Sequence, residues 1–227
     1  MSNYIKGFTV ALKGLPMTLL VSFVALIIGI AGGLLLALVK GSKSKFFSFL
    51  ANVYIEIIRS TPMICQALIM AYGLPMLLQS TGHNFKWANL LTPALIVCGA
   101  NSAAYMAEVI RSGIQAVSHG QIEAAYSLGM NKRQVNFLVI LPQAIKIVTP
   151  ALVNEFVTLI KETSVLAYVG VIEVMRSAQL WNSATFLTFP AYIGAALVYF
   201  MVCFPMSRGV VYLEKKLSKP NANKKAI

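Results

Sequence analysis

Charge is scarce in this 227-residue chain: it contains no aspartate, has 7 acidic residues, and is 11% charged overall. A water-soluble domain carries about a quarter charged residues, so this composition excludes an ordinary soluble protein. Cysteine is also rare, and Cys65, Cys98 and Cys203 lie in apolar stretches at unrelated spacings. That pattern indicates buried thiols instead of disulfides or a metal site. Because hydrophobic residues make up 58% of the chain, the sequence predicts an all-α integral membrane protein.

Five long apolar runs predict about five transmembrane helices, since about 20 residues cross roughly 30 Å of hydrocarbon. The runs are Met17–Val39, Ser60–Phe85, Trp87–Ala107, Gln143–Ala167 and Phe189–Val211. Within the second run, the prolines and Gly73 predict a helix that begins before Pro62 and ends near Gly73 to Pro75. Gly29, Gly32 and Gly33 give the first run a small-residue flank, which favours close helix packing in lipid.

The lysines and arginines predict the orientation, because cytoplasmic loops are enriched in them. Placing the turns after the first and third spans, and the tail, inside collects 14 of the 19 basic residues. The N-terminus is then outside and the C-terminus inside. This bias accounts for the net charge of +12 without nucleic acid as a partner. We therefore predict a multi-pass protein of the bacterial cytoplasmic membrane, with 1–227 as a single domain. The membrane bundle covers 14–213 and includes a cytoplasmic loop over 112–142. A basic cytoplasmic tail follows over 214–227, and its last residues are predicted to be disordered.

The segment Glu123–Ala144, "EAAYSLGMNKRQVNFLVILPQA", is polar and rich in helix formers although it lies between two spans. Gly129 can end one short helix, Asn131 can cap a second, and Pro142 can open a third. The residues alone leave two interpretations, an ordinary cytoplasmic loop or a docking element for a partner. In either case we expect one or two short helices lying under the membrane.

The spacing of Glu123-Ala124-Ala125, Gly129, Val139 and Leu141-Pro142 resembles the EAA loop of permeases of ATP-binding-cassette (ABC) importers. "IRSTP" from Ile58, the run Asn101–Met130 and "NEFVTLIKETS" from Asn154 resemble the polar amino acid branch, which serves histidine, arginine, glutamine, glutamate and cystine. Four positions depart from the usual pattern. Val139 is a conservative change, Ser60 and Ser112 replace glycines and change the local flexibility, and Glu162 replaces an aspartate and would reshape the substrate site by one methylene.

The resemblance implies a type I ABC importer permease fold and a set of partners. It implies two copies of an ATPase subunit, a second permease copy or paralogue, an external binding protein and an L-amino acid substrate, within membrane lipid. The ATPase-coupling residues would be Glu123, Ala124, Ala125, Gly129, Leu141 and Pro142. Because the chain lacks the G-x-x-x-x-G-K-[ST] pattern, we expect it to bind no cofactor, and we expect ATP and magnesium on the partner.

Polar residues inside the predicted spans indicate where a substrate could bind. Lys161 and Glu162 offer a cation and an anion that match the carboxylate and ammonium of an amino acid, provided that the helix loosens there. Glu155 lies deeper in the same span. The alternative interpretation is an internal salt bridge, and the resemblance favours substrate contact.

Three further residues complete the candidate site. Asn101 and Tyr105 lie on one stripe of the third span with Glu108, for which Arg111 is the expected partner. Interhelical hydrogen bonding is the alternative for this stripe. Thr61 is the third residue, and its alternative role is to satisfy backbone groups freed by Pro62.

Two rival functions are weighed against an importer subunit. An ATP-independent channel or secondary carrier could use the same intramembrane charges, but it leaves the polar segment unexplained. A membrane enzyme is the weaker alternative, since His83 and His119 lie on opposite sides in the predicted topology and no nucleophile and base pair is apparent. Which amino acid is carried, and whether the dimer is homo- or heteromeric, the sequence leaves open.

Overall fold

The computed structural model describes residues 2–217, and these form a helical bundle without a strand in that range. Helix α1 spans Ser2–Leu12 and α2 spans Leu15–Lys40, and Pro16 lies in the first turn of α2, where a missing amide costs no bond. The two helices together form one candidate span of 39 residues. Helix α2 therefore begins two residues before the predicted Met17, and the shorter helix α1, which the sequence did not predict, precedes it across a turn at Lys13 and Gly14.

The second span differs most from its prediction. Helix α3, Lys45–Ser60, ends two residues before Pro62, and a new helix, α4, begins at Met63 and ends at Leu68. The chain continues as a π-helical turn over Ile69–Gly73 and as α5 over Leu74–Ser80. The predicted helix start before Pro62 and the predicted end near Gly73 to Pro75 are both wrong. In a π turn each carbonyl accepts a hydrogen bond from the amide five residues later instead of four. The helix can therefore continue through Pro75, which has no amide hydrogen to donate.

The third span, α6, covers Leu91–Gln115, so it starts later and ends later than predicted. Trp87 lies before the helix and donates its indole N–H to the carbonyl of Met70, 2.9 Å away. The side chain of Asn89 instead accepts hydrogen bonds from the backbone and hydroxyl of Thr92, which fixes the helix start. The charges of Glu108 and Arg111 do not end the helix because both are good helix formers.

The polar segment folds as predicted, into short helices before a long one. Helix α7 covers His119–Ser127, α8 covers Lys132–Gln134, and a π-helical turn over Val135–Ile140 leads into α9, Leu141–Glu162. Gly129 has a φ of +80°, a conformation that glycine adopts without strain, and Asn131 forms a capping box with Gln134. Pro142 lies in the first turn of α9. The three local predictions for this segment are confirmed.

The last spans close the bundle. A 3-10 helical turn over Thr163–Val169 follows α9, so the regular helix ends directly after Lys161 and Glu162, which both still belong to it. Helix α10, Val174–Thr185, was not predicted, and α11, Thr188–Leu217, extends beyond the predicted end at Val211. Five helical stretches are long and apolar enough to cross a membrane, which confirms an all-α protein with five candidate spans. The predicted disorder of the last residues lies outside the described range.

Close backbone contacts hold the bundle together. Gly29 and Gly33 lie so close to Ser102, Met106 and Ala107 of α6 that a Cβ atom at either glycine would collide with them. The small-residue flank of the first span is thus confirmed as a packing surface. A similar contact between Gly7 and Gly194 joins α1 to α11. These two contacts fix the positions of α6 and α11 relative to the first span.

Candidate functional site

Two adjacent charged residues, Lys161 and Glu162, occupy the last turn of α9. Lys161 is exposed and Glu162 is half-buried. Within residues 2–217 the only ion pair closer than 4.0 Å joins Lys40 and Glu108. Among the described residues, Lys161 and Glu162 thus do not form the internal salt bridge offered as their alternative role.

Glu155 connects α9 to α6. Its Oε1 accepts a hydrogen bond from the hydroxyl of Ser102 at 3.0 Å, and Ser102 is fully buried beside Gly29. Glu155 and Glu162 are seven residues apart and therefore share one helix face. This face carries two half-buried carboxylates, and the neutral hydroxyl of Ser102 on α6 donates a hydrogen bond to one of them. Such a face suits contact with a cationic group.

Asn101 and Thr61 meet through a residue that the sequence interpretation missed, Gln66. The Gln66 side-chain amide donates to the Thr61 hydroxyl at 2.8 Å and to the carbonyl of Ile58 at 2.8 Å, while its oxygen accepts from Asn101 at 3.3 Å. Pro62 leaves the Ile58 carbonyl without its helical partner, and Gln66 replaces it. Thr61 itself donates to the Ile57 carbonyl at 2.8 Å, one residue before the carbonyl that Pro62 leaves open, so both roles given to Thr61 stay predictions. The signal for Gln66 was a lone amide in an apolar run, four residues after a proline.

Tyr105 lies apart from this network. The guanidinium of Arg59 sits 5.3 Å from the centre of its ring, a cation–π contact between α3 and α6. One turn further on, Glu108 accepts from Lys40 at 2.6 Å, so the expected partner Arg111 is wrong. The structure thus connects Asn101 to Thr61 through Gln66, and Glu155 to α6 through Ser102. Tyr105 contacts Arg59 and takes no part in either connection.

A second missed residue, Glu173, lies at the start of α10. It is completely buried, and its carboxylate accepts hydrogen bonds from the Tyr199 hydroxyl at 2.6 Å and from the amides of Met175 and Arg176. Burial raises the pKa of Glu173 above its ordinary value, and the three hydrogen bonds oppose that rise. The signal was a single charge between valine, isoleucine and methionine, an unlikely place for an unpaired acid.

The coupling residues predicted from the EAA pattern form one exposed lobe. Glu123 and Ala124 are exposed on α7, whereas Ala125 is buried against the rest of the lobe. Leu128 is 83% exposed, and Gly129 has no atom within 4 Å of the position of a Cβ. Leu141 and Pro142 are also exposed, at the base of α9. The structure thus leaves Glu123, Ala124, Leu141 and Pro142 exposed on this lobe, and their coupling role stays a prediction.

A family model described as the binding-protein-dependent transport system inner membrane component matches residues 29–219. The chain belongs to this family. The probable glutamine ABC transporter permease protein GlnM of Bacillus subtilis (strain 168) is 38% identical over 94% of this chain and 95% of its own length. The arginine transport system permease protein ArtQ of the same organism is 37% identical, with 91% of each chain covered.

A solved structure agrees with these sequence matches. It is described as a crystal structure of an amino acid ABC transporter with histidines; one of its chains is 39% identical and has a TM-score of 0.84, with 93% of this chain and 96% of that chain covered. The protein is accordingly a multi-pass permease component of an ABC importer in the bacterial inner membrane, with the type I permease fold. Family membership implies an ATPase and a substrate-binding protein as partners. The matches give no support to an ATP-independent channel or carrier.

Proposed function

We propose that two permease subunits, this chain and a second copy or paralogue, enclose a path for a polar L-amino acid that moves when two ATPase subunits close. An external binding protein delivers the substrate, and ATP and magnesium stay on the ATPase. The observation that supports this most is the exposed lobe of α7 and α8, which continues through a π-helical turn directly into α9. A displacement of the lobe would therefore move the helix that carries Lys161 and Glu162.

The substrate would be held by the charged end of α9. Lys161 would bind the carboxylate and Glu162 the ammonium, while Glu155, Asn101, Tyr105 and Thr61 would shape the cavity. The lack of an ion pair between Lys161 and Glu162 supports this role, because an amino acid then replaces water instead of breaking a bond. The names of GlnM and ArtQ support glutamine and arginine as the first substrates to test.

Reconstitution with the ATPase and the binding protein in proteoliposomes tests the substrate assignment. The rate of ATP-driven uptake should fall at least tenfold in the Lys161→Ala variant, since the carboxylate of the substrate would have no cation to bind inside the membrane. Lys86→Ala, at another exposed lysine on the same predicted side of the membrane, is the matched control and should transport normally. Parent affinity and maximal rate in the Lys161→Ala variant would refute the assignment.

The coupling role is tested at Gly129. A Gly129→Asp variant should abolish uptake while the protein still inserts, because the side chain projects from the lobe into the surface that the ATPase would cover. Gly82→Asp is a close control: Gly82 also has a positive φ, +87°, and no atom within 4 Å of its Cβ position, so both changes cost about 1 kcal/mol of backbone strain. Equal uptake in the two variants would contradict the coupling role.

The orientation is tested by labelling in a Cys65→Ser background, which removes the exposed native thiol. We expect an impermeant maleimide to label an Asn84→Cys variant in intact cells and a Leu128→Cys variant only after permeabilisation. Labelling of the Leu128→Cys variant from outside would overturn the proposed coupling, since ATP is available only in the cytoplasm.

A further inference from the structure

Helix α3, Lys45–Ser60, belongs to none of the five candidate spans. Its 16 residues correspond to about 24 Å, which is less than the roughly 30 Å of hydrocarbon that a span crosses. The hydroxyl of Ser48 donates to the carbonyl of Lys40 at 2.9 Å, and the ammonium of Lys40 pairs with Glu108. Since the proposed orientation places Lys40 and Glu108 at the cytoplasmic end of the bundle, α3 begins at the inner surface of the membrane.

Helix α3 packs on the middle and the cytoplasmic half of α6, which covers Leu91–Gln115. Its contacts join Ile55 to Ala104 and Ala107, the hydroxyl of Tyr54 to the carbonyl of Ala100 at 2.8 Å, and the guanidinium of Arg59 to the ring of Tyr105. The inner half of the hydrocarbon is only about 15 Å thick. A helix of about 24 Å fits into that depth only if it is inclined, so α3 lies obliquely within the inner leaflet.

One face of α3 is apolar and exposed. Phe46, Phe49, Leu50 and Ile57 return to the same side of the helix, and their side chains are 46–65% exposed. Ala51 on the opposite side is buried. An inclined helix with large apolar side chains on its free face is typical of helices that lie at a membrane interface with that face among the acyl chains.

Two lysines at the start of α3 carry positive charge that the protein does not neutralise. Lys43 and Lys45 are exposed, and among residues 2–217 neither has a carboxylate within 4.0 Å, whereas Lys40 is paired with Glu108. The first acidic residue of α3, Glu56, lies about three turns beyond Lys45. Two free cations beside an apolar face are complementary to a phospholipid with an anionic headgroup.

We propose that the start of α3 is a binding site for an anionic phospholipid of the inner leaflet. Lys43 and Lys45 bind the phosphate of the headgroup, and an acyl chain lies along Phe46 and Phe49. The bound lipid holds α3 at the membrane surface and thereby supports its contacts with α6. This site is independent of the substrate and rests only on the proposed orientation, which labelling of the Leu128→Cys variant tests separately.

The test uses the complete transporter with its ATPase in proteoliposomes, and a Phe49→Trp variant provides the reporter. Brominated phosphatidylglycerol or brominated phosphatidylcholine is included at equal mole fractions, because bromine quenches tryptophan fluorescence on contact. The parent protein is the blank for the two native tryptophans, Trp87 and Trp181. We expect both lipids to quench the reporter, and we expect phosphatidylglycerol to bind there at least threefold more tightly.

Two double variants of the reporter protein separate a specific site from general attraction. With both Lys43→Gln and Lys45→Gln, the two lipids should quench equally. Lys215 and Lys216 are exposed near the end of α11, on the same predicted side, so Lys215→Gln with Lys216→Gln removes equal charge and should keep the preference.

Three results would overturn the lipid site. Quenching by neither lipid would mean that a protein surface such as the ATPase covers this face. Equal quenching by the two lipids with both lysines present would exclude recognition of the headgroup. A preference that survives the loss of Lys43 and Lys45 would assign it to other residues.

Discussion

The buried carboxylate of Glu173 makes the sharpest stability prediction, because it is the shared acceptor for groups on two helices. It caps α10 through the amides of Met175 and Arg176 and binds the Tyr199 hydroxyl of α11. The next amide, that of Val174, donates to the hydroxyl of Thr18 on α2 at 3.3 Å. Removal of the carboxylate would leave three donors in a dry junction between these helices.

The expected cost follows from those donors. Loss of a helix cap costs about 1 kcal/mol. A buried donor left without an acceptor costs about 1–3 kcal/mol. A Glu173→Ala variant should therefore lose roughly 3 kcal/mol, whereas Glu173→Gln keeps an acceptor for the amides and should lose less than about 1 kcal/mol. For a chain of this size, the difference corresponds to a gap of about 5 °C between the melting temperatures of the two variants.

The native cysteines provide the assay. Cys98 and Cys203 are buried, so a thiol-reactive dye reports unfolding once the exposed Cys65 is changed to serine. We expect the order of melting temperatures in detergent to be parent, then Glu173→Gln, then Glu173→Ala. If the alanine and glutamine variants melt together, the three hydrogen bonds do not stabilise the junction and the reasoning is wrong.

The pH dependence has a defined sign. Burial raises the pKa of Glu173 above its value in the unfolded chain, so the folded chain holds more protons at pH values between the two. Stability from this group is greatest below the unfolded pKa and falls as the pH rises through the raised pKa. The parent protein should therefore gain stability relative to Glu173→Gln, which cannot titrate there, when the pH is lowered from about 8 toward 5. A constant difference would contradict the raised pKa.

Three further changes test contacts between the spans. The leucine of a Gly33→Leu variant would collide with α6, so this change should lower the free energy of unfolding by more than about 2 kcal/mol in melting assays. Gly209 has no atom within 4 Å of its Cβ position, so Gly209→Leu should be neutral. Equal effects of the two changes would exclude tight packing at Gly33. Glu108→Gln should cost about 1–2 kcal/mol, and the cost should shrink in a Lys40→Met background, as a double-mutant cycle would measure. Gln66→Leu should cost about 2 kcal/mol by freeing a buried carbonyl, and unchanged melting would refute its bridging role.

The sequence was sufficient for features that depend on local chemistry. Apolar run length predicted five spans, and Gly129 and Asn131 predicted their own turn and cap because positive φ and amide caps are properties of single residues. The sequence was insufficient for the end of the second span. This span continues past Pro75 because a π turn accommodates the missing amide, and no pattern in that run distinguishes a π turn from a helix end.

The candidate site shows the same division. The sequence interpretation required the helix to loosen at Lys161 and Glu162, whereas the structure keeps both residues in α9 and changes to a 3-10 turn only at Thr163. The partner of Glu108 was not predictable, because Lys40 is 68 residues away and the choice between it and Arg111 depends on how α2 packs on α6. Gln66 and Glu173 were missed for the same reason, since each acts on groups brought near by the fold.

The arrangement of α9 explains why one helix can serve both partner and substrate. Its first turn follows the exposed lobe through a π-helical turn, its middle is hydrogen-bonded to α6 by Glu155 and Ser102, and a 3-10 turn follows its last residue, Glu162. Irregular turns at both ends of a helix allow it to move as one body. Movement of the lobe would then reach the charged end with little bending of the helix itself, and a Ser102→Ala variant that removes the attachment should weaken coupling more than it weakens substrate binding.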